Sequence, residues 1–291
     1  MDAATRALRD RIRADKRLQA QAWAQGQLWW LLDDLQFRFH QRFWSTEGLT
    51  VWDEARRIGK TYKLLVICCE MALRGKHRSI KYGAQTAKDV RKMIRPTMRK
   101  VLETCPPALM PKVDWQQGEL TFKSTGSVID IAGCDNGNYE HLRGQEAHLW
   151  VLDEAGFINE METVVESVLM PQTWTTKGRG IIASTPPPTP GHPFQRYYLA
   201  AKANGTSARA TFWENTRLTE AEKRAIVEDG ARRKRLTVEE YLATTAWKRE
   251  GEAEFVLEET RAVLPEFPEA LAEELTVEES ATPLFADWYT I

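Results

Sequence analysis

Residues 49–62, LTVWDEARRIGKTY, constrain this chain more than any other stretch. A short β-branched and aromatic run (Leu49, Thr50, Val51, Trp52) gives way to a tight charged loop, and Gly59-Lys60-Thr61 opens a helical pattern. Strand, loop, Gly-Lys-Ser/Thr and helix is the order of a phosphate-binding loop. Backbone N–H groups of such a loop and of the first helical turn point at the phosphates, and the helix N-terminus adds partial positive charge. Lys60 is expected to place its ammonium on the β- and γ-phosphates, and Thr61 to offer its hydroxyl to Mg2+. Arg56, Arg57 and Ile58 complete the arc, with two more cations beside a triphosphate. The same three residues also fit a plain helix N-terminus carrying a surface lysine. The standard pattern, G-x-x-x-x-G-K-[ST], has glycine where this chain has Glu54.

A second signal lies in LWVLDEAGF, residues 149–157. An apolar strand that ends in two acids needs a partner for their charge, and the natural partners are a metal ion and a water. Asp153 is expected in the Mg2+ shell, with Glu154 orienting and polarising the attacking water. The alternative is a strand that ends in solvated acids before a turn at Gly156. A third apolar run, Ile181 to Ala183, ends in Ser184-Thr185-Pro186. Hydroxyls there can sense a γ-phosphate or simply cap the strand. Upstream, FRFHQRFW carries Gln41, whose amide has the donor and acceptor that match an adenine edge.

Composition narrows the classes. With 40 basic and 41 acidic residues and a net charge of −1, no global field draws the chain to nucleic acid, so any polyanion contact must use local patches. Cys68, Cys69, Cys105 and Cys134 form no C-x-x-C pair and no zinc-ligand spacing, so reduced, buried thiols are expected. The N-terminus has no apolar signal region, and no apolar run has membrane-spanning length.

The remaining pattern predicts a basic helix over 2–24, an aromatic segment over 27–44 and a helix over 60–74. A strand over 80–84 leads to Gln85, Thr86 and Lys88, then to a basic helix over 87–104 that Pro96 should bend. Alternation over 119–123 and 128–132 around KSTGS predicts a β-hairpin inserted into the sheet topology. Helices over 160–172 and 194–204 and a strand over 208–213 follow. Charged amphipathic patterns over 219–235 and 237–258 suggest a helical lid, and the tail from Pro265 is acidic and proline-punctuated.

The order of these motifs resembles the ATPase portion of the large terminase subunit of tailed bacteriophages, over about residues 37 to 265. The resemblance is carried by Gln41, ARRIGKT, IKYGAQT, LRGQEAHLWVLDEAG and IIASTP. It implies an α/β P-loop NTPase of the ASCE type, with a mainly parallel central sheet flanked by helices. It implies a core with an N-terminal arm over 1–213, a lid over 214–264, and a linker over 265–291 toward a nuclease domain beyond this sequence, with Asp287 near its first strand. The activity implied is Mg2+-dependent ATP hydrolysis that drives double-stranded DNA into a procapsid. Lys60 and Thr61 match phosphate and Mg2+ ligands, Asp153 the Mg2+ acid, and Glu154 the catalytic base. Ser184 and Thr185 match the motif that couples hydrolysis to movement, and Arg143 in LRG matches an arginine finger or, alternatively, a loop arginine paired with Glu140 or Glu146. Implied partners are the portal protein, the small terminase subunit and further copies in a ring, in the host cytoplasm and at the portal vertex. A helicase-like ATPase and a non-catalytic nucleotide-binding module are the rival classes.

Overall fold

The apolar runs of the sequence become the strands of one sheet. The structure, a computed structural model, describes residues 1–144, 146–189 and 191–256. The expected linker over 265–291, Asp287 and the end of the expected lid lie outside the described residues. The strands are β1 (Leu49–Glu54), β2 (Ser79–Ala84), β3 (Lys112–Asp114), β4 (Glu119–Phe122), β5 (Ser127–Gly133), β6 (Leu149–Asp153), β7 (Arg179–Ser184) and β8 (Ser207–Ala210). Their order across the sheet is β3-β4-β5-β2-β6-β7-β1-β8. All pairings from β5 to β8 are parallel, and β3 and β4 add an antiparallel edge. This is the α/β P-loop architecture. One strand, β7, separates the phosphate-loop strand β1 from the acid-pair strand β6, with Val51 opposite Ile182 and Val151 opposite Ile181.

Helices cover both faces because the central strands are apolar on both sides. On one face lie α1 (Ala3–Ala14), α2 (Lys16–Ala24), α3 (Asp34–Ser45) and α4 (Lys60–Leu73). Their buried residues, among them Trp23, Phe39, Phe43, Leu64 and Ile67, pack on Trp52, Tyr82 and Ile129. On the other face, Val165, Leu169, Phe194 and Tyr198 pack on Val51, Leu152 and Ile182. Val227 and Trp247, from the charged helices after residue 214, bury their side chains in the first of these cores rather than in one of their own. Cys68, Cys69, Cys105 and Cys134 are buried and free of disulfides. No helix among the described residues is long and apolar enough to cross a membrane.

Several elements differ from the sequence reading. The expected helix over 2–24 is two helices, because Asp15 leaves the helical conformation and caps α2 through the N–H groups of Arg17 and Leu18. The segment over 87–104 contains a π turn, Val90–Ile94, just ahead of Pro96 in the first turn of Arg95–Leu102. A wider turn accommodates a residue that lacks its N–H donor. The expected hairpin is present as β4 and β5, and it joins the main sheet because β5 pairs in parallel with β2. The last expected helix divides at Thr244, which caps Thr245–Glu250.

Glu54, the residue in place of the loop's first glycine, is the last residue of β1 and fully buried. Its carboxylate pairs with Lys63, one turn into α4, and Lys63 is itself buried over the rings of Phe39 (4.3 Å) and Trp52 (5.3 Å). Burial pushes the Lys63 ammonium down, and the Glu54 charge opposes that shift. The strand and the helix are thus joined by an ion pair beneath the loop. Glu54→Ala leaves a buried, unpaired ammonium and is expected to cost about 3–5 kcal/mol, whereas Glu54→Leu combined with Lys63→Met should cost far less. Urea unfolding of the two variants checks this order.

Candidate active site

The residues expected to carry chemistry meet at the C-terminal ends of β1, β6 and β7, where open α/β sheets bind ligands. β1 leaves the sheet after Glu54, and the chain turns back into α4 through Gly59 in a left-handed conformation (φ 85°). A Cβ at Gly59 would lie 2.3 Å from Nε2 of Gln36, a side-chain end that can shift, so it is the left-handed backbone that favours glycine here. Lys60 is 5% exposed. Its Nζ donates to Oγ1 of Thr185 (2.9 Å) and to the carbonyls of Ala55 (3.2 Å) and Glu54 (3.4 Å), and lies 3.6 Å from Oε1 of Glu154.

The acid pair closes this arrangement from β6. Thr61 Oγ1 donates to Oδ2 of Asp153 at 2.6 Å, and the Tyr82 hydroxyl donates to the same oxygen at 2.8 Å. Oδ1 accepts from the N–H of Glu154 at 3.0 Å. Burial pushes the Asp153 carboxyl up, against the hydrogen bonds from Thr61 and Tyr82 and the charges of Lys60 and Lys63. Glu154 is itself left-handed (φ 53°), and this turns its side chain off the strand into the cleft. Burial also raises the Glu154 carboxyl, with Lys60 pulling the other way. Gly156 then approaches β7 closely enough for its N–H to bond Oγ of Ser184 at 2.8 Å, a distance at which a Cβ would collide.

A cleft of about 740 Å³ opens over these groups, lined by Gln36, Arg56, Arg57, Lys60, Thr61 and Glu154 among others. Beside Glu154 and Asp153 a smaller hollow of about 170 Å³ is lined by Arg56, Gln85 and Asp89. The donor set of one hydroxyl and one carboxylate, all hard oxygen, suits Mg2+, which is usually held by one or two carboxylates together with phosphates.

The other expected residues divide. Arg56 lines the cleft but also pairs with Glu250 at 3.2 Å. Ile58 puts its side chain in the core. Gln41 does not reach the phosphate loop: it is exposed and lines a separate cleft with Trp29, Phe37 and Trp44. The glutamine at the loop is Gln36, whose Nε2 donates to the Gly59 carbonyl (3.1 Å) and whose Oε1 accepts from the N–H of Asp33 (3.1 Å). Its only sequence signal is the capping spacing Asp33-x-x-Gln36. Arg143 lies away from this chain's own cleft, bound to both oxygens of Glu140 at 2.6 and 2.9 Å and to the Ser167 carbonyl. Sequence reasoning missed Arg217, which reaches the loop from beyond β8.

Comparison with known proteins bears on the fold. No family model matches the sequence, and no curated protein matches it. Solved structures do match. The large terminase ATPase domain of Thermus phage P74-26 superposes with a TM-score of 0.58 at 17% identity, over 77% of this chain and 94% of that one. The large terminase of a thermophilic bacteriophage in complex with ADP gives 0.61 at 14% identity, over 77% of this chain and 54% of that one. The HK97 bacteriophage large terminase gives 0.57 at 14% identity, over 77% and 50%. The chain has the fold of a large terminase ATPase domain, and it spans about half the length of the two longer neighbours.

One buried group here lacks compensation. Asp53 on β1 is 1% exposed, and neither carboxylate oxygen has a hydrogen-bond partner among the described residues. Arg209 is 4.0 Å away, and burial pushes the Asp53 carboxyl well above the usual range. A folded-state pKa above the unfolded one means that the folded chain binds the extra proton, so this residue's contribution to stability falls as pH rises. Asp53→Asn is expected to raise Tm, with a gap that widens from the ordinary carboxylate range toward neutral pH. A gain on the order of 1 kcal/mol corresponds to about 2–4 °C at this size. Thermal unfolding of both proteins across that range is the check.

Proposed function

We propose that this chain is the ATPase motor domain of a viral large terminase, which hydrolyses ATP with Mg2+ to move double-stranded DNA into a procapsid. The observation that carries the reading is the meeting of two distant segments. Lys60 and Thr61 of the loop touch Glu154 and Asp153 of β6 at 3.6 and 2.6 Å, at the floor of one cleft. The neighbours crystallised with ADP and ATP-gamma-S support nucleotide as the ligand class.

In this reading Lys60 exchanges the Thr185 hydroxyl and Glu154 for phosphate oxygens. The N–H groups of Gly59, Lys60 and Thr61 at the start of α4 add donors and the positive end of the helix. Thr61 and Asp153 would hold Mg2+, which would neutralise charge on the phosphates. Glu154, relieved of Lys60, accepts a hydrogen bond from the attacking water and holds it in line. Thr185, bonded to Lys60, and Ser184, bonded to the loop after the acid pair, connect β7 to both halves of the site. They are the groups through which nucleotide state reaches the sheet.

The partners follow the same reading: double-stranded DNA, the portal protein, the small terminase subunit and neighbouring copies in a ring, in the host cytoplasm and at the portal vertex. Exposed Lys88, Arg91, Lys92, Arg99 and Lys100 offer DNA phosphates a sequence-independent, salt-sensitive contact. In a ring, Arg143 would act on a neighbour's nucleotide once released from Glu140. The lid in this scheme includes residues 214–256 of the described chain.

Two outcomes test it. Glu154→Ala is expected to keep nucleotide binding and lose turnover by about a hundredfold or more in a phosphate-release assay, since positioned general bases contribute ~10²–10⁴. Retained turnover would remove Glu154 from the mechanism. Only ionised Glu154 can take a proton from the water, and burial raises its pKa in the nucleotide-free site. The acid limb of the kcat/KM profile should therefore lie above the ordinary carboxylate range, with activity lost as pH falls through it. A limb at the ordinary value contradicts the assignment.

A further inference from the structure

The phosphate loop of this chain is held from outside. In the usual pattern the first glycine gives the arc its freedom, and here that position is Glu54, an ordinary strand residue whose side chain serves the core. The left-handed bend falls instead on Arg57, three residues later, at φ 60°. A non-glycine residue in this conformation is strained.

The compensating contacts come from the end of β8 and from the segment after it. The N–H of Ala55 donates to the Ala210 carbonyl (2.8 Å), and the N–H of Arg56 donates to the Glu250 carbonyl (2.9 Å). Arg217 Nη2 donates to the carbonyl of Arg57 at 2.6 Å, while its Nε lies 3.5 Å from Asp33, the N-cap of α3. The same guanidinium lies just over Gly59, within 3.3 Å of where a Cβ would sit. Two loop N–H groups are thereby withdrawn from any phosphate. The bent residue is fixed by a charge-assisted hydrogen bond, and Arg217 bridges the loop to the helix carrying Gln36.

We infer that Arg217 is a positioning residue for nucleotide binding: it holds Arg57 in the left-handed conformation that aims the N–H groups after it at the phosphates. Arg217 does this work in place of the missing glycine. The inference rests on the ATPase reading. It also ties the loop's shape to the helical segment that begins at Glu220, so that movement of the segment loosens or tightens nucleotide.

The test is a titration with a fluorescent ATP analogue and steady-state hydrolysis on Arg217→Ala, Arg217→Met and Arg217→Lys, with Lys60→Ala as the control. Methionine keeps the stem and removes every donor, so it stands in if alanine does not fold. The expected result is a Kd and KM raised about tenfold or more, the worth of one charge-assisted hydrogen bond, with kcat within about twofold. Lysine, which keeps one cationic donor, should recover most of the loss. A purely structural role would lower Tm and the active fraction without separating KM from kcat. Unchanged Kd in a folded Arg217→Met protein overturns the inference. If the unaltered chain binds no nucleotide, or Lys60→Ala binds it as well, the ATPase reading fails first.

Discussion

Everything at this site depends on where two adjacent carboxylates, Asp153 buried and Glu154 half-buried, find their countercharge. β6 delivers Asp153 and Glu154 to the end of an apolar strand, where an isolated charge is costly. The ammonium of Lys60 and the hydroxyls of Thr61 and Tyr82 meet that demand from α4 and β2. Without the acid pair, Lys60 at 5% exposure would be a buried cation bonded only to neutral oxygens. Each half of the site makes the other tolerable. Phosphates and a divalent cation would replace these contacts with others of the same sign pattern, which is why the arrangement is receptive without being unstable.

A second, deeper pair sets the spacing. Glu54 and Lys63 lie below the loop, on the core side, and fix how far α4 stands from β1. Replacing a buried pair by apolar side chains is often neutral or stabilising, so its value here is geometric. It holds the helix N-terminus at one height while Lys60, three residues before Lys63, projects into the cleft. Two lysines on one helix thus do opposite jobs, one joined to the core and the other poised for ligand.

Much of this was legible in the sequence. The Gly-Lys-Thr loop, the acid pair and the STP strand end stand out by strand-then-polar patterning, and the parallel sheet follows from apolar runs separated by helical ones. What was illegible depends on contacts distant in sequence. Gln36 and Gln41 both lie on α3, and nothing local says which one faces the loop; packing on β1 decides it. Glu54 stands out in the sequence only as a departure from the standard loop, because a one-dimensional pattern cannot show that its side chain turns to Lys63 in the core. Arg217 carries no motif at all, and its role exists only because β8 lies beside β1. Asp15 and the π turn before Pro96 are local, yet helix-averaged periodicity conceals both.

The sheet's two margins carry a last consequence. At one end β3 is three residues long and preceded by Pro111. At the other, α3 lays Arg38 and Arg42 across β8, where they donate to the carbonyls of Arg209 and Gly205. Short strands and guanidinium caps are how proteins keep sheet margins from templating further strands. A polymer of this chain built strand by strand is thereby disfavoured, and copies that associate must do so through helices and loops. Such contacts can shift with nucleotide without tearing a backbone ladder.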